Sequence, residues 1–186
     1  MLKFEKAIVF AANAHQGQKR KGDGSPYITH PITVAITLLD NGCDEDTVKA
    51  AILHDTVEDT RVTLNDIEST FGKNVKRLVE GVSEPDKSLS WKERKEHTIK
   101  HISTALFDER LIICADKLHN ISSMIEQYQL KGESLWGIFN GDKEEQIWYY
   151  SQVVRSLKSH NDTIDNNSLF TKLEDKVNEF VNLVSN

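Results

Sequence analysis

An apolar helical stretch that ends in four ionisable side chains is the feature that most restricts how this chain can fold. Residues 51–59 read AILHDTVED, so a histidine and an aspartate follow the apolar run and two more acids follow one turn later. Burying such groups without partners costs several kcal/mol. A divalent cation would remove that cost, because it neutralises carboxylates and accepts imidazole as a ligand.

The composition indicates one soluble helical domain that spans residues 1–186. This length can bury a sizeable core. With three prolines and nine glycines, the chain has few turn signals, which favours long regular elements. The net charge of −6 argues against nucleic-acid binding, which normally uses a basic surface.

Neither a membrane segment nor an export signal is visible in the sequence. No apolar run approaches the roughly 18 residues that a membrane span needs. The first residues, MLKFEK, lack the apolar core of a signal peptide. Cys43 and Cys114 are far apart in sequence and fit a pair of reduced thiols. We therefore expect a cytoplasmic protein that does not act at a membrane.

Helical periodicity recurs along the chain, and polar residues that can cap helices precede several of the periodic segments. Thr63 with Asp66, and Ser90 with Glu93, have the spacing of capping boxes. A polar linker is predicted over residues 162–167. The predicted helices cover residues 4–15, 31–41, 45–57, 64–71, 75–82, 91–106, 109–127, 143–157 and 169–184. Without any alternating strand pattern, the fold class is all-α, a bundle of about eight to ten helices.

Four side chains form a candidate metal site. His54 and Asp55 are adjacent, and because neighbouring helical residues diverge by about 100°, an ion bound by both must lie at the helix edge. His30 precedes Pro31, which favours a helix start that can aim the imidazole inward. Asp116 follows the apolar run LIICA. Together they offer two nitrogen and two oxygen ligands, a set suited to Mn²⁺, Fe²⁺ or Zn²⁺.

Each ligand also has a structural interpretation. A histidine beside a proline often caps a helix or packs in a core, and Asp116 has Lys117 and Arg110 nearby in sequence as ion-pair partners. The His54–Asp55 pair is harder to explain structurally, because no cation lies near it in sequence.

Glu58 and Asp59 follow His54 and Asp55 at i+4, on the same helix face one turn later. A carboxylate close to a water held by a metal can act as general base or acid. The alternative is a solvated helix end, although acidic groups at a helix C-terminus oppose the macrodipole. These two residues are the catalytic candidates.

A basic loop over residues 18–27, QKRKGDGSPY, leads directly into His30. Its glycines let the backbone approach a ligand closely. Arg20 can pair with phosphate or stack on a base, and Lys21 supplies a point charge. An ordinary solvated loop is the alternative.

The sequence resembles the HD-domain metal-dependent phosphohydrolases, and more closely the hydrolase domain of Rel/SpoT proteins and the single-domain small alarmone hydrolases. The similarity runs in family order over about residues 5–126. It is carried by AHQGQKRK at 14–21, PYITHP at 26–31, LHDTVEDT at 53–60, FG at 71–72, LVEGVS at 78–83 and ADKLHN at 115–120. A later stretch, 135–150, is similar to the single-domain members.

The resemblance implies an all-helical HD-domain bundle that hydrolyses guanosine tetra- or pentaphosphate and releases pyrophosphate from the 3′ position. It implies one Mn²⁺ as cofactor, with Fe²⁺ or Zn²⁺ as alternatives. In this chain the family's ligands correspond to His30, His54, Asp55 and Asp116, and its catalytic acids to Glu58 and Asp59. It places Arg20 and Lys21 near the base or phosphates and Asn120 on the nucleotide.

Two departures from the long family members affect these expectations. The loop before His30 is one residue longer, which can change the contacts to the base. The chain also ends before any synthetase region, so degradation of the alarmone is expected without synthesis.

Two other classes of function stay open from the sequence. An HD-type enzyme could act on another nucleotide, either a deoxynucleoside monophosphate or NADPH. The chain could also be a non-catalytic nucleotide-binding module, although such a module has no chemical need for all six metal-binding and acidic groups. The sequence predicts a small-molecule nucleotide partner and does not indicate an oligomeric state.

Overall fold

The computed structural model describes residues 3–84, 88–159 and 168–185. Within these ranges the secondary structure consists of ten α-helices, one 3₁₀ helix and one isolated β-bridge between Lys19 and Pro26. The all-α prediction and the predicted helix number are therefore confirmed. No helix in the described ranges combines the length and the apolar character needed to cross a membrane.

The chain divides into two compact units. Unit 1 comprises Met1–Arg20, Gly24–Ser83 and Leu106–Asp116, and unit 2 comprises Lys21–Asp23, Glu84–Ala105 and Lys117–Asn186. The prediction that residues 1–186 form one domain stays a prediction.

Unit 1 is built around a short buried helix, α3. Its elements are α1 (Glu5–Ala14), α2 (Thr29–Asp40), α3 (Glu45–Leu53), α4 (Thr56–Asp59), α5 (Leu64–Phe71), α6 (Lys73–Val82) and the beginning of α8 (Phe107–Lys131). Helix α3 packs against α1, α2 and α6. Because Ala50, Ala51 and Leu53 are fully buried, the residues that follow them begin inside the protein.

Unit 2 contains α7 (Trp91–Ile102), the later part of α8, a 3₁₀ helix (Gly132–Gly137), α9 (Lys143–Leu157) and α10 (Ser168–Ser185). Helix α9 packs against α7 and α10. The apolar face of α10 is buried at the spacing that the sequence predicted, through Leu169, Leu173, Val177, Phe180 and Val184.

The helix starts that depend on local capping are confirmed. Thr63 with Asp66 and Ser90 with Glu93 form complete capping boxes, in which side chain and backbone bond reciprocally. Asp44 caps α3 by accepting a hydrogen bond from the backbone N–H of Thr47. The polar linker predicted over residues 162–167 lies outside the described residues.

Three details of the predicted helices are wrong. The helix predicted over residues 45–57 ends at Leu53, and a separate turn, α4, begins at Thr56. The helix predicted to reach Leu106 ends at Ile102, and Leu106 is 57% exposed. The sequence spacing also predicts that Ile8, Ala11 and His15 share the buried face of α1. Ala11 and His15 are buried, but Ile8 is 36% exposed and Ala7 is buried instead.

Candidate metal centre

The break after α3 presents His54 and Asp55 side by side. Polar side chains replace helical hydrogen bonds here: His54 Nδ1 lies 2.7 Å from the carbonyl oxygen of Ala51, and Thr56 Oγ1 donates to the carbonyl oxygen of Leu53 over 2.6 Å. These bonds satisfy the last carbonyls of α3 and end the helix. His54 is therefore held at the edge of the core rather than on a continuing helix face.

Four predicted ligands come together in unit 1. The side chains of His30, His54 and Asp116 each offer a ligand atom, and these atoms all lie within 4.8 Å of one another. Asp55 Oδ2 lies 3.5 Å from His30 Nε2 and 3.2 Å from His54 Nε2. Asp116 Oδ1 lies 3.1 Å from His30 Nε2. A His–His–Asp group that could hold a metal ion therefore exists, with Asp55 beside it.

The hydrogen bonding of His54 fits a ligand. Because a carbonyl oxygen can only accept, His54 Nδ1 carries the proton in the bond to Ala51, which leaves the lone pair of a neutral ring on Nε2. His54 Nε2 is buried and has no partner with hydrogen-bond geometry among the described residues, although Asp55 Oδ2 is near. A backbone carbonyl that fixes the tautomer in this way is typical of metal-binding histidines.

Negative charge dominates the group. Burial works against a charged His54, but Asp55 and Asp116 outweigh it and raise the pKa of His54 to about 9. Burial also opposes ionisation of Asp55, but His54 and His30 hold the pKa of that carboxyl well below its usual range. Asp55 is thus ionised and draws positive charge towards the imidazoles, which is the electrostatic setting that a cation requires.

Tyr27, the last residue of the basic loop, contacts the candidate metal ligands. Its hydroxyl donates a hydrogen bond to Asp55 Oδ2 over 2.6 Å. Burial, followed by the charge of Asp55, raises the pKa of Tyr27 far above its ordinary value, so the hydroxyl remains a donor. The ring also packs between His15 and His30, with centroid separations of 4.8 Å and 5.9 Å.

The acidic pair lies on α4, the single turn that follows Asp55. Glu58 and Asp59 are both half-buried. A solvated helix end, which was the alternative interpretation, would leave both side chains exposed. The backbone N–H of Asp59 donates to the carbonyl oxygen of Asp55 over 2.8 Å. The pair is therefore connected to the candidate ligands through one turn of backbone.

The basic loop forms a narrow turn. The backbone N–H of Arg20 donates to the carbonyl oxygen of Ser25 over 2.9 Å, next to the bridge between Lys19 and Pro26. Arg20 is half-buried in unit 1. Lys21, which is exposed, and Asn120, which is half-buried on α8, belong to unit 2. Substrate contacts by these three residues stay predictions.

Two residues near the centre had no role in the sequence interpretation. Tyr27 was considered only as part of the basic loop. Its position three residues before His30 could have indicated that it lies close to a candidate ligand. Gln18 bonds to Asp59, 41 positions later in the chain, over 2.8 Å. No sequence pattern predicts that contact.

Comparisons with known proteins show that the chain is similar to HD-domain proteins. A model of the HD domain matches residues 7–137 of the chain. A Danio rerio protein named guanosine-3′,5′-bis(diphosphate) 3′-pyrophosphohydrolase MESH1 is 38% identical over 161 residues, which cover 85% of this chain and 86% of the fish protein. The bifunctional (p)ppGpp synthase/hydrolase SpoT of Escherichia coli is 42% identical over 128 residues, which cover 66% of this chain but 18% of SpoT.

Two solved structures have the same fold. One, from Listeria monocytogenes, aligns with a TM-score of 0.76 and 34% identity and covers 84% of this chain and 99% of that protein. The other is described as a metazoan ortholog of SpoT that hydrolyzes ppGpp and plays a role in starvation responses. It aligns with a TM-score of 0.77 and 32% identity, covering 96% of both chains.

Proposed function

The chain belongs to the HD-domain family, and on that basis we propose that it hydrolyses guanosine 3′,5′-bis(diphosphate) and releases pyrophosphate from the 3′ position. The observation that carries the proposal is the convergence of His30, His54 and Asp116 in one buried group. MESH1 aligns with 85% of this chain and SpoT with 66% of it, and the names of both proteins support this choice of substrate.

Four side chains would hold the cation: His30, His54, Asp55 and Asp116. A divalent ion bound there supplies Lewis acidity towards water and phosphate oxygens. The mixed nitrogen and oxygen donors suit Mn²⁺, with Fe²⁺ and Zn²⁺ as alternatives. The buried Nε2 of His54 supports this assignment, because it has no hydrogen-bond partner among the described residues and a bond to a metal would provide one.

Glu58 and Asp59 would handle the proton. In the proposed reaction the oxygen of a water bonds to the phosphorus next to O3′, and the bond between that phosphorus and O3′ breaks. Glu58, assisted by Asp59, accepts the water's proton, and O3′ leaves as a hydroxyl after it takes up a proton. The products are GDP, or GTP from the pentaphosphate, and pyrophosphate.

The basic loop would meet the remaining negative charge of the substrate. Asp55 and Asp116 largely compensate a divalent ion, so further cations must face the distal phosphates or the base. Arg20 and Lys21 are our candidates for this contact, with Asn120 on the nucleotide. Residues 1–186 act as one hydrolase domain in this proposal.

A nucleotide panel with Mn²⁺ tests the proposal against its rivals. The purified chain is incubated with ppGpp, pppGpp, a deoxynucleoside monophosphate and NADPH, and pyrophosphate and orthophosphate are measured separately. We expect pyrophosphate from the first two substrates, and none from His54→Ala, which removes a ligand. Orthophosphate from the other nucleotides alone would overturn the choice of substrate, and nucleotide binding without turnover would indicate a binding module.

A further inference from the structure

Gln18 connects the acidic turn to the segment that precedes the candidate ligands. Its side-chain Nε2 donates a hydrogen bond to the carbonyl oxygen of Asp59 over 2.8 Å. Asp59 is the last residue of α4. The carbonyls at a helix end have no partner within their own helix, so Gln18 supplies a donor that α4 cannot supply itself.

The orientation of the Gln18 amide is fixed by its two partners. Because the Asp59 carbonyl can only accept, the amide nitrogen faces it and Oε1 faces the other way. Oε1 lies 2.8 Å from His15 Nδ1, so this ring nitrogen carries a proton and donates. His15 is 3% exposed, so the Gln18 side chain is held by a residue that cannot move into solvent.

The backbone of Gln18 reaches the other half of the site. Its carbonyl oxygen accepts a hydrogen bond from the backbone N–H of Tyr27 over 3.0 Å, and the Tyr27 hydroxyl in turn donates to Asp55. Gly17, with φ +78°, makes the turn after α1 that gives Gln18 this position. One residue thus contacts both the acidic turn and the tyrosine that holds Asp55.

Helix α4 needs such an anchor. It has four residues, and an isolated helical turn is unstable in water because nucleation is costly. Glu58 and Asp59 lie on this turn, so any fraying of α4 moves both carboxylates relative to Asp55. A displacement of about 1 Å in a catalytic group can cost roughly 100-fold in rate.

We propose that Gln18 is a positioning residue that holds the turn bearing Glu58 and Asp59 at a fixed distance from Asp55. The inference rests on the proposed function, because this distance affects turnover only if the acidic pair handles the proton. His15 contributes to the same series of hydrogen bonds, because it orients the Gln18 amide.

The kinetic test compares Gln18→Met, which keeps the side-chain length and removes both side-chain hydrogen bonds, with Gln16→Ala, which changes an exposed residue of the turn after α1. We expect kcat of Gln18→Met to fall about 10- to 100-fold while KM and bound metal stay within about threefold. Gln16→Ala should match the wild type. A kcat of Gln18→Met within about threefold of the wild-type value overturns the inference.

A combined variant separates positioning from general loss of structure. In a background that carries both Glu58→Gln and Asp59→Asn the acidic pair is already absent, so adding Gln18→Met should lower kcat by less than about threefold. If Gln18→Met lowers kcat as much in this background as in the wild type, Gln18 acts independently of the acidic pair and the inference is wrong.

Hydrogen exchange provides a readout that needs no substrate. The backbone N–H groups of Asp59 and Thr60 bond to the carbonyls of Asp55 and Thr56, at 2.8 Å and 3.1 Å. Both amides should exchange about tenfold faster or more in Gln18→Met, and at the wild-type rate in Gln16→Ala. Unchanged exchange in Gln18→Met overturns the inference. A wild-type protein inactive on ppGpp overturns the proposed function instead, and faster exchange in Gln18→Met would still support the anchor.

Discussion

The hydroxyl of Tyr27 donates a 2.6 Å hydrogen bond to the same oxygen of Asp55 that faces the Nε2 atoms of His30 and His54. The tyrosine therefore fixes the orientation of a candidate ligand that lies 28 positions later in the chain. Partners of this kind adjust the direction and basicity of ligating carboxylates.

Replacing Tyr27 with phenylalanine should weaken metal binding. The substitution keeps the ring between His15 and His30 but leaves Asp55 without this donor. We expect the dissociation constant for Mn²⁺ to rise about 10- to 100-fold in a metal titration. Tyr128→Phe, which removes an exposed hydrogen bond to Glu133, is the matched control and should leave it unchanged. Equal affinity in Tyr27→Phe and the wild type would exclude this role.

Glu58→Gln should separate metal binding from turnover. The amide has the size of the carboxylate but cannot accept the water's proton, so turnover should fall roughly 10²- to 10⁴-fold while metal content persists. Glu80→Gln changes an exposed acid of unit 1 in the same way and should have no effect. Metal content is measured by elemental analysis of the same sample that is assayed. Near-normal turnover would rule out Glu58 as the proton acceptor.

Arg20→Ala should raise KM more than it lowers kcat, because the proposed contact is made in the bound ground state as well as in the transition state. Added salt should raise the wild-type KM in the same direction, since exposed charges are screened within ~8–10 Å. Steady-state kinetics at two ionic strengths measure both effects. Arg155→Ala removes an exposed arginine in the last turn of α9 and is the control. If Arg20→Ala has the wild-type KM, the loop is an ordinary solvated surface.

Gly81→Ala should destabilise the fold through Glu109. A Cβ at position 81 would lie 2.7 Å from Glu109 Cδ. That carboxylate is confined, because it is 6% exposed and accepts hydrogen bonds from Arg77 and from the backbone N–H of Leu106. We expect a net loss of about 1–2 kcal/mol in denaturant unfolding, since overpacking outweighs the gain in helix propensity.

A second substitution tests the cause of that loss. In a Glu109→Ala background the clash is absent, so Gly81→Ala should become neutral or stabilising by up to about 1 kcal/mol. Gly137→Ala, where a Cβ meets no atom within 4 Å, is the control for the single variant. The same loss in both backgrounds would show that Glu109 is not responsible.

The parts of the fold that the sequence predicts are those that local interactions determine. The capping boxes at Thr63 and Ser90 involve residues three positions apart, so their signals are complete within one segment. The predicted end of α3 is wrong because side chains, which helical periodicity does not take into account, determine where this helix ends. His54 and Thr56 bond to backbone carbonyls that a continuing helix would have used, and helical periodicity gives no sign of that competition.

In the candidate site, too, residues close in sequence could be predicted, whereas contacts between distant segments could not. His54, Asp55, Glu58 and Asp59 lie within six positions of each other, and their residue types indicate metal chemistry directly. The hydrogen bonds from Gln18 to Asp59 and from Tyr27 to Asp55 join segments 41 and 28 positions apart. Such contacts arise from tertiary packing. The sequence motifs therefore contain Gln18 and Tyr27 but do not indicate which residues they contact.

Hydrolysis of ppGpp in oxygen-18 water with Mn²⁺ shows directly which phosphorus atom the water attacks. Attack at the phosphorus next to O3′ places the new oxygen on the released pyrophosphate. We expect GDP and pyrophosphate in equal amounts, with one labelled oxygen in the pyrophosphate, and no products after chelation or in Asp55→Ala. Release of orthophosphate with a phosphate left on the 3′ position, or hydrolysis that is indifferent to chelator, would overturn the proposed reaction at the metal centre.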